Sequence, residues 1–518
     1  MGAHTGSLRP QHPRSCDVRE FAAVFKLSGS EIHEGLRATG ITMATSDVRP
    51  GDIFVGLPGA NVHGARFAAD AAAAGAVAVV TDAAGATLAK ESGLPLLITD
   101  NVRAHMGHMA AWIYGTSQGA APTFGVTGTN GKTSVVYLLT AVLGQLGVTS
   151  GLSTTAERRI GHTAITSGLT TPESTELHGL LARMADENVG AIALEVSAQA
   201  LSRHRIDGVH FDVVGFTNLS HDHLDDYAAF EDYYEAKAQL FTSDRADRGV
   251  VITDDVWGQR LATEARIPVT TISSNPSNTA DWHFAITGQT HRETAFRLTS
   301  ADGRSLETSV PVMGRFMAAN AALALVMLFQ AGHELSTVSA ALERDGGIDV
   351  YIPGRAEIVS GESGPVVYVD YGHTPDAFEE LLASLRTVTD GKVIMVFGAD
   401  GDRDTTKRHD MGAIAARGAD VVIVTDFHPR TEDPAAIRAA LLEGARSAHT
   451  SAEILEVADP QAAMRRAIRL AGEGDAILYA GPGHEDYREV NGVQLDYNAR
   501  EDVRAALREA GLPPRGEN

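Results

Sequence analysis

The sequence predicts an α/β protein of three domains built on mostly parallel sheets. Three observations point there. At 518 residues the chain is too long for one hydrophobic core. Short apolar strands alternate with helical stretches along most of its length. The strands of the second and third parts end in polar clusters, on the edge where open α/β sheets bind ligands. The expected domains are 1–117, 118–347 and 348–518.

The elements follow in order. From about Asp17 to Trp112, strands such as DIFVGLPG and AVAVVTD alternate with the Ala-rich stretch FAADAAAAGA, which makes a small α/β unit. YGTSQGAAPT, rich in small residues, reads as a linker. The second unit restarts with TFGVTG. It continues through the helix SVVYLLTAVLGQLG, the strand GAIALEVSA with its terminal acid, and the strand of VVGFTNLSHDHLDD. After the helical stretch MAANAALALVMLFQAG the pattern pauses near ERDGGIDVYIPGR. In the third unit VVYVDYGHTP, VIMVFGADGDRD, VVIVTDFHPR and AILYAGPGHE each carry polar residues at the carboxyl end, a Rossmann-like arrangement.

Composition narrows the function classes. Hydrophobic residues make up 44% and charged residues 21%, as in ordinary globular proteins. A formal net charge of -23 argues against non-specific binding to nucleic acid or to an anionic membrane, both of which attract basic surfaces. Cys16 is the only cysteine, so neither an internal disulfide nor a Cys-based zinc site is expected. The start lacks the apolar core of a signal peptide, and no apolar run is long enough to span a membrane. The expectation is a cytoplasmic protein, monomeric, with a loose N-terminal tail.

The strongest chemical signal is GVTGTNGKTS at 125–134. The strict phosphate-loop spacing puts Val126 where the first glycine belongs, yet a strand leads in and an amphipathic helix leads out. Gly128 and Gly131 let the backbone approach an anion, the helix N-terminus aims amides at it, and Lys132 supplies a cation. The competing reading, a glycine-rich turn without a ligand, does not account for the Lys-Thr pair.

GxTGTNGKT resembles the phosphate loop of the Mur ligase superfamily, the ATP-dependent amide-bond ligases of peptidoglycan assembly and folate polyglutamylation. TTPES, EVSAQAL, FTNLSHDHLD, EAKAQLF, PGRAE, VDYGHTPDA, FGADGDRDTTKR and GPGHEDY are similar, in order, to the branch that adds the third residue of the stem peptide. The resemblance implies that a carboxylate of a UDP-sugar peptide attacks the γ-phosphate of ATP, and that an amine captures the acyl phosphate. It implies a phosphate site at Gly128, Thr129, Asn130, Gly131, Lys132, Thr133 and Ser134. Asn218, Asn320, Arg355, Asp370 and His373 complete the nucleotide contacts. Met317 stands where the family has another asparagine.

For Mg2+ the resemblance points to Thr133, Glu195, His223 and Lys237, the last as a carbamate. Lys132, Glu195, His223 and Lys237 are the expected catalytic residues. From spacing alone the two His and two Asp of FTNLSHDHLD also suit zinc, and Glu195 also suits a pairing with Arg205. For the UDP-sugar peptide the matching positions are Thr45, Thr170, Thr171, Ser197, Arg203 and Arg205. Thr45 and Ser46 replace the usual Ser and Arg of the uridine motif.

The amine side is implied by Arg403, Phe427, His428, Arg430, Gly481 and Glu485. In the family a DNPR motif meets the distal carboxylate of meso-diaminopimelate, and here the run is DFHPR. Arg430 and Arg403 fit that carboxylate and Glu485 fits a second ammonium, so meso-diaminopimelate is the expected amine. Phe427 removes an acid and leaves another amine open. Two alternatives remain: the same scaffold acting on a different carboxylate, as in folate-type polyglutamylation, and a nucleotide-binding regulator with no ligase activity.

Overall fold

The computed structural model describes residues 8–516 except 60, 118, 120, 221–225 and 228. Three sheets dominate. The first has five strands in the order Ser28–Gly29, Leu96–Ile98, Ala78–Thr81, Asp52–Gly56 and Gly40–Thr42, parallel except at Ser28–Gly29.

The central sheet has eleven strands. Seven run parallel in the order Ser150–Ser153, Ala191–Glu195, Thr123–Thr127, Phe211–Phe216, Ala246–Ile252, Val269–Ser273 and Trp282–Gln289. Its strands are covered on both faces, so successive side chains enter different cores. Ala191 and Ala193 join Phe124, Leu139 and Leu323 on one face, whereas Ile192 and Leu194 join Leu177, Phe211 and Tyr233 on the other. The helices Lys132–Gln145 and Arg315–Gln330 pack on each other over the first face.

The expectation of a mostly parallel sheet holds for this middle and fails at both edges. Glu157–Ile160 and Thr163–Thr166 form a hairpin at one edge, and Thr294–Ser300 with Ser305–Val310 extend the other antiparallel. Thr163–Thr166 is largely exposed and carries no apolar alternation, so period-two reading had nothing to detect there.

The third sheet runs Glu357–Ile358, Val366–Asp370, Ala476–Ala480, Val393–Phe397, Val421–Val424 and Glu453–Glu456, parallel after the first strand. The four strands expected from sequence are adjacent in it, so their polar ends share one edge. Phe378 and Leu385 of helix Pro375–Val388 belong to the same core cluster as the central sheet.

The tail is not loose from Leu8 onward. Arg9 is buried and pairs with buried Asp52 at 2.6 Å. Cys16 is buried as well. No helix among the described residues is long and apolar enough to cross a membrane.

Candidate active site

The phosphate loop leaves strand Thr123–Thr127 at the centre of the sheet. From there the chain crosses first to one side, at Ser150–Ser153, and later to the other, at Phe211–Phe216. This is a topological switch point, where such sheets bind ligands. Gly128 has φ 144 and Gly131 φ 88. A Cβ on Gly128 would lie 1.9 Å from Thr217 Oγ1, and one on Gly131 would lie 2.4 Å from Asn320 Oδ1. Glycine is required at both for space and for conformation.

The loop is braced from behind. Asn130 N–H donates to Asn218 Oδ1 at 3.0 Å, Thr129 N–H donates to the Asn218 carbonyl at 2.9 Å, and Thr217 Oγ1 donates to the Asn130 carbonyl at 2.6 Å. Lys132 opens the following helix, and its Nζ donates back to the carbonyls of Gly128 and Thr129 at 3.1 and 2.8 Å. Thr133 and Ser134 are buried in the first helical turn. Met317 is fully buried in the core, while Asn320 lies one turn on, against Gly131.

Glu195 ends strand Ala191–Glu195 and is 3% exposed. It is fully hydrogen-bonded. Oε2 accepts from Thr133 Oγ1 at 2.9 Å and from Thr155 N–H at 3.0 Å, and Oε1 accepts from Thr155 Oγ1 at 3.2 Å. Arg205 does not pair with it. Its Nε instead meets Glu173 at 3.0 Å. Lys237 is buried behind the loop, donating to the Gly128 carbonyl at 2.8 Å with its ammonium 4.3 Å from the Tyr233 ring centre. His223 lies outside the described residues, as do His221, Asp222 and Asp225.

Of the residues expected to hold the sugar peptide, Thr170, Thr171 and Ser197 cluster beside Glu195. Thr171 Oγ1 donates to the Glu195 carbonyl at 2.8 Å and accepts from Ser197 N–H at 3.1 Å, and Thr170 Oγ1 lies within hydrogen-bond distance of Thr155 Oγ1, at 3.0 Å. Arg203 is exposed and pairs with Asp226 at 2.9 Å. Thr45 opens a short turn, Thr45–Asp47, in the first domain.

The third sheet brings its own groups to the loop. Arg355 reaches across to donate to Thr133 Oγ1 at 3.1 Å, and its guanidinium lies 4.3 Å from the Tyr371 ring centre. Asp370 is turned inward. It accepts from the N–H groups of Ala356, at 2.6 Å, and Gly372, and burial pushes its carboxyl above the usual range although Arg355 and these amides pull the other way. Its visible role is to hold the Arg355 turn. His373 Nδ1 donates to the Tyr371 carbonyl at 2.7 Å.

Between the two sheets lies a cavity of about 710 Å³. Thr155, Glu157 and Thr170 line one wall; Tyr371, Arg403, Phe427, His428, Arg430 and Glu485 line the other. Gly481, at φ 116, turns the chain beside the Phe427 ring. His428 Nδ1 accepts from Glu489 N–H at 2.8 Å, so its proton sits on Nε2, which donates to Glu485 at 2.7 Å. Arg430, expected to await a carboxylate, already has acidic partners, Glu489 at 3.3 Å and Asp400 at 3.6 Å.

Sequence reading missed Thr155, Tyr371, Asp400 and His484. Tyr371 and Asp400 stand inside quoted motifs, but Thr155 follows a short strand with no signature. His484 lines the cavity, and burial, together with the charges of Arg355 and Arg500, lowers its pKa to about 3.

Arg355 of the third sheet reaches the phosphate loop, and the strand ends of that sheet face Thr155 and Thr170 across the cavity, an arrangement suited to a nucleotide-driven ligase. Family models agree over most of the chain: Mur ligase family, catalytic domain, matches residues 26–114; Mur ligase middle domain matches 126–328; and Mur ligase, glutamate ligase domain, matches 354–483. The chain belongs to the Mur ligase family. It is 61% identical to a UDP-N-acetylmuramyl-tripeptide synthetase of Leifsonia xyli subsp. xyli over 98% of this chain and 99% of that protein. It is 42% identical to a UDP-N-acetylmuramoyl-L-alanyl-D-glutamate--2,6-diaminopimelate ligase of Streptomyces coelicolor, over 91% and 92%. A solved structure of a ligase of that same name aligns with a TM-score of 0.65 at 28% identity, covering 96% of this chain and all of that one.

Proposed function

We propose that this enzyme, an ATP-dependent amide ligase of peptidoglycan precursor synthesis, joins a diamino acid to the D-glutamate carboxylate of UDP-N-acetylmuramoyl-L-alanyl-D-glutamate. The 2,6-diaminopimelate in the relatives' names belongs to that class. The single observation that carries the reading is the cavity walled on one side by Thr155 and Thr170, with Glu195 hydrogen-bonded to Thr155, and on the other by the strand ends of the third sheet.

In the reaction, a carboxylate oxygen of the sugar peptide attacks the γ-phosphorus of ATP and ADP leaves. The neutral amine nitrogen then attacks the acyl carbon, inorganic phosphate leaves, and the nitrogen loses a proton. Two anions meet in the first step, so positioning and charge neutralisation are the catalytic task. Amides of residues 128–134 and Lys132 hold the phosphates, and Arg355 adds a cation from the opposite domain. Thr170, Thr171, Ser197 and Arg205 orient the sugar peptide, and the uridine end falls to the Thr45 turn.

Mg2+ fits the buried hard oxygens of Glu195 and Thr133, the donor type it prefers, with His223 and a carbamate on Lys237 completing the set. When bound it neutralises phosphate charge. The reading places the enzyme in the cytoplasm, where ATP and nucleotide-linked sugars are found, working as a monomer on small molecules alone.

The test is incubation of the purified protein with ATP, the UDP-sugar dipeptide and a diamino acid, followed by mass spectrometry. The expected product is the sugar tripeptide with one ADP per peptide. Lys132→Ala is expected to lower turnover by about a hundredfold or more with the fold intact. ADP release independent of the sugar peptide would refute the reading.

A further inference from the structure

The charges around the amine end of the cavity are sorted before any substrate arrives. Arg430 already faces two acids within the protein: Nε lies 3.3 Å from Glu489 and one terminal nitrogen lies 3.6 Å from Asp400 Oδ1, ion-pair contacts rather than hydrogen bonds, while the other terminal nitrogen donates to the Gly401 carbonyl at 3.2 Å. Its backbone is fixed as well. Arg430 sits at φ 50, held by its N–H on the Glu489 carbonyl at 3.1 Å and by its own carbonyl accepting from Asn491 N–H at 2.7 Å. A distal carboxylate approaching this guanidinium would join two carboxylates already there, and like charges repel at such range.

Asp400 is in the opposite condition. Its Oδ1 is buried and accepts no hydrogen bond, because the guanidinium beside it is too distant to donate. Asp400 lines the same cavity as Glu485. The Glu485 Oε1 receives only a long bond, 3.4 Å, from the Tyr371 hydroxyl. The other Glu485 oxygen accepts from His428 Nε2 at 2.7 Å, the His428 Nδ1 being taken by the Glu489 N–H. A buried acceptor without a donor is costly until something donates to it. Arg403 is different again: it is exposed at the cavity and donates only to the Asp402 carbonyl at 3.4 Å, which leaves it available to an α-carboxylate.

We propose that Asp400, together with Glu485, seats the side-chain ammonium of the incoming amino acid, and that Arg430 is a strut holding Asp400 and Glu489 rather than a carboxylate grip. The amine is then a diamino acid with a single carboxylate, of the lysine or ornithine kind. This rests on the function proposed above.

The experiment measures amine-dependent phosphate release at saturating ATP and sugar peptide for L-lysine, L-ornithine and meso-diaminopimelate. Wild type, Asp400→Asn and Glu489→Gln are compared. In wild type, one of the two monocarboxylic amines is expected to exceed meso-diaminopimelate in kcat/KM by at least about tenfold. Asp400→Asn is expected to raise KM for that amine by at least about tenfold with kcat changed less. Glu489→Gln, which releases one nitrogen of Arg430, is expected to shift the ratio toward meso-diaminopimelate. A wild-type preference for meso-diaminopimelate overturns the proposal, and this ratio needs no variant to fold. Equal loss of kcat for all amines in Asp400→Asn overturns it too. Hydroxylamine trapping of the acyl phosphate without any amino acid reads the proposed function separately; no hydroxamate there would refute that function, and the assignment of Asp400 with it.

Discussion

At Lys237 a single side chain carries two conflicting demands. An ammonium buried behind a phosphate loop satisfies the Gly128 carbonyl and faces the Tyr233 ring, but a carbamate at the same place would be an anion suited to a divalent metal. If the carbamate is the working form, Lys237→Ala loses most activity, and short carboxylates such as acetate restore part of it. Carbon NMR of enzyme equilibrated with isotope-labelled bicarbonate checks the modification directly; an unmodified lysine in fully active enzyme would end the idea. At Lys132 and Glu195 residue type was legible because a cation follows a glycine turn and an acid ends an apolar strand, whereas Lys237, inside a helix, was singled out only by the family resemblance of its motif. Occupancy was not legible. Asp400 and Glu489 lie 30 residues before and 59 after Arg430 in sequence, and no local pattern says that they have already taken its charge.

Among the elements, helix Ser174–Asp186 joins the first two domains through His178. The ring is fully buried. Its Nε2 donates to the Asp207 carbonyl at 2.9 Å, and its Nδ1 accepts from Thr116 Oγ1 at 2.6 Å. Burial lowers its pKa from 6.5 to about 4. A histidine depressed in this way contributes stability above its unfolded pKa, and the contribution is lost as pH falls through the interval down to the folded value. The expected loss between pH 6.5 and 4 is on the order of 3 kcal/mol. Urea unfolding across that window checks it: the slope with pH should flatten in His178→Gln. Neither this helix nor the joint was read from the sequence, since an isolated histidine on an apolar face gives no hint of its partners. In the central sheet the strands Thr123–Thr127, Ala191–Glu195 and Phe211–Phe216 were legible from their apolar runs, four further parallel strands were not named, and the exposed edge strand Thr163–Thr166 carried no apolar alternation.

For the whole molecule, the central fact is that Arg355 of the third domain touches Thr133 of the second. If the groups proposed for ATP and for the amine act together, the sheets that carry them are expected to come together and part during turnover. Small-angle scattering should show a smaller radius of gyration when a non-hydrolysable ATP analogue and the sugar peptide are both saturating than with neither. Arg355→Ala should weaken that compaction. Identical profiles under demonstrated saturation would count against it.

The third sheet has a further consequence, for ancestry and redesign. Its four adjacent strands are sealed in a core that includes Val396, Ile423 and Ile477, while the groups proposed for the amine stand on loops beyond their carboxyl ends. Substitutions in those loops leave the packing beneath untouched, as scaffold-borne loops generally do. On the assignment proposed above, a lineage can change the amino acid it builds into its wall by a few replacements around positions 400, 427–430 and 485. The phosphate machinery on the other sheet has no such freedom, because Gly128 and Gly131 admit no side chain. Descendants of one ancestor should accordingly share the loop that handles ATP and diverge where the amine enters.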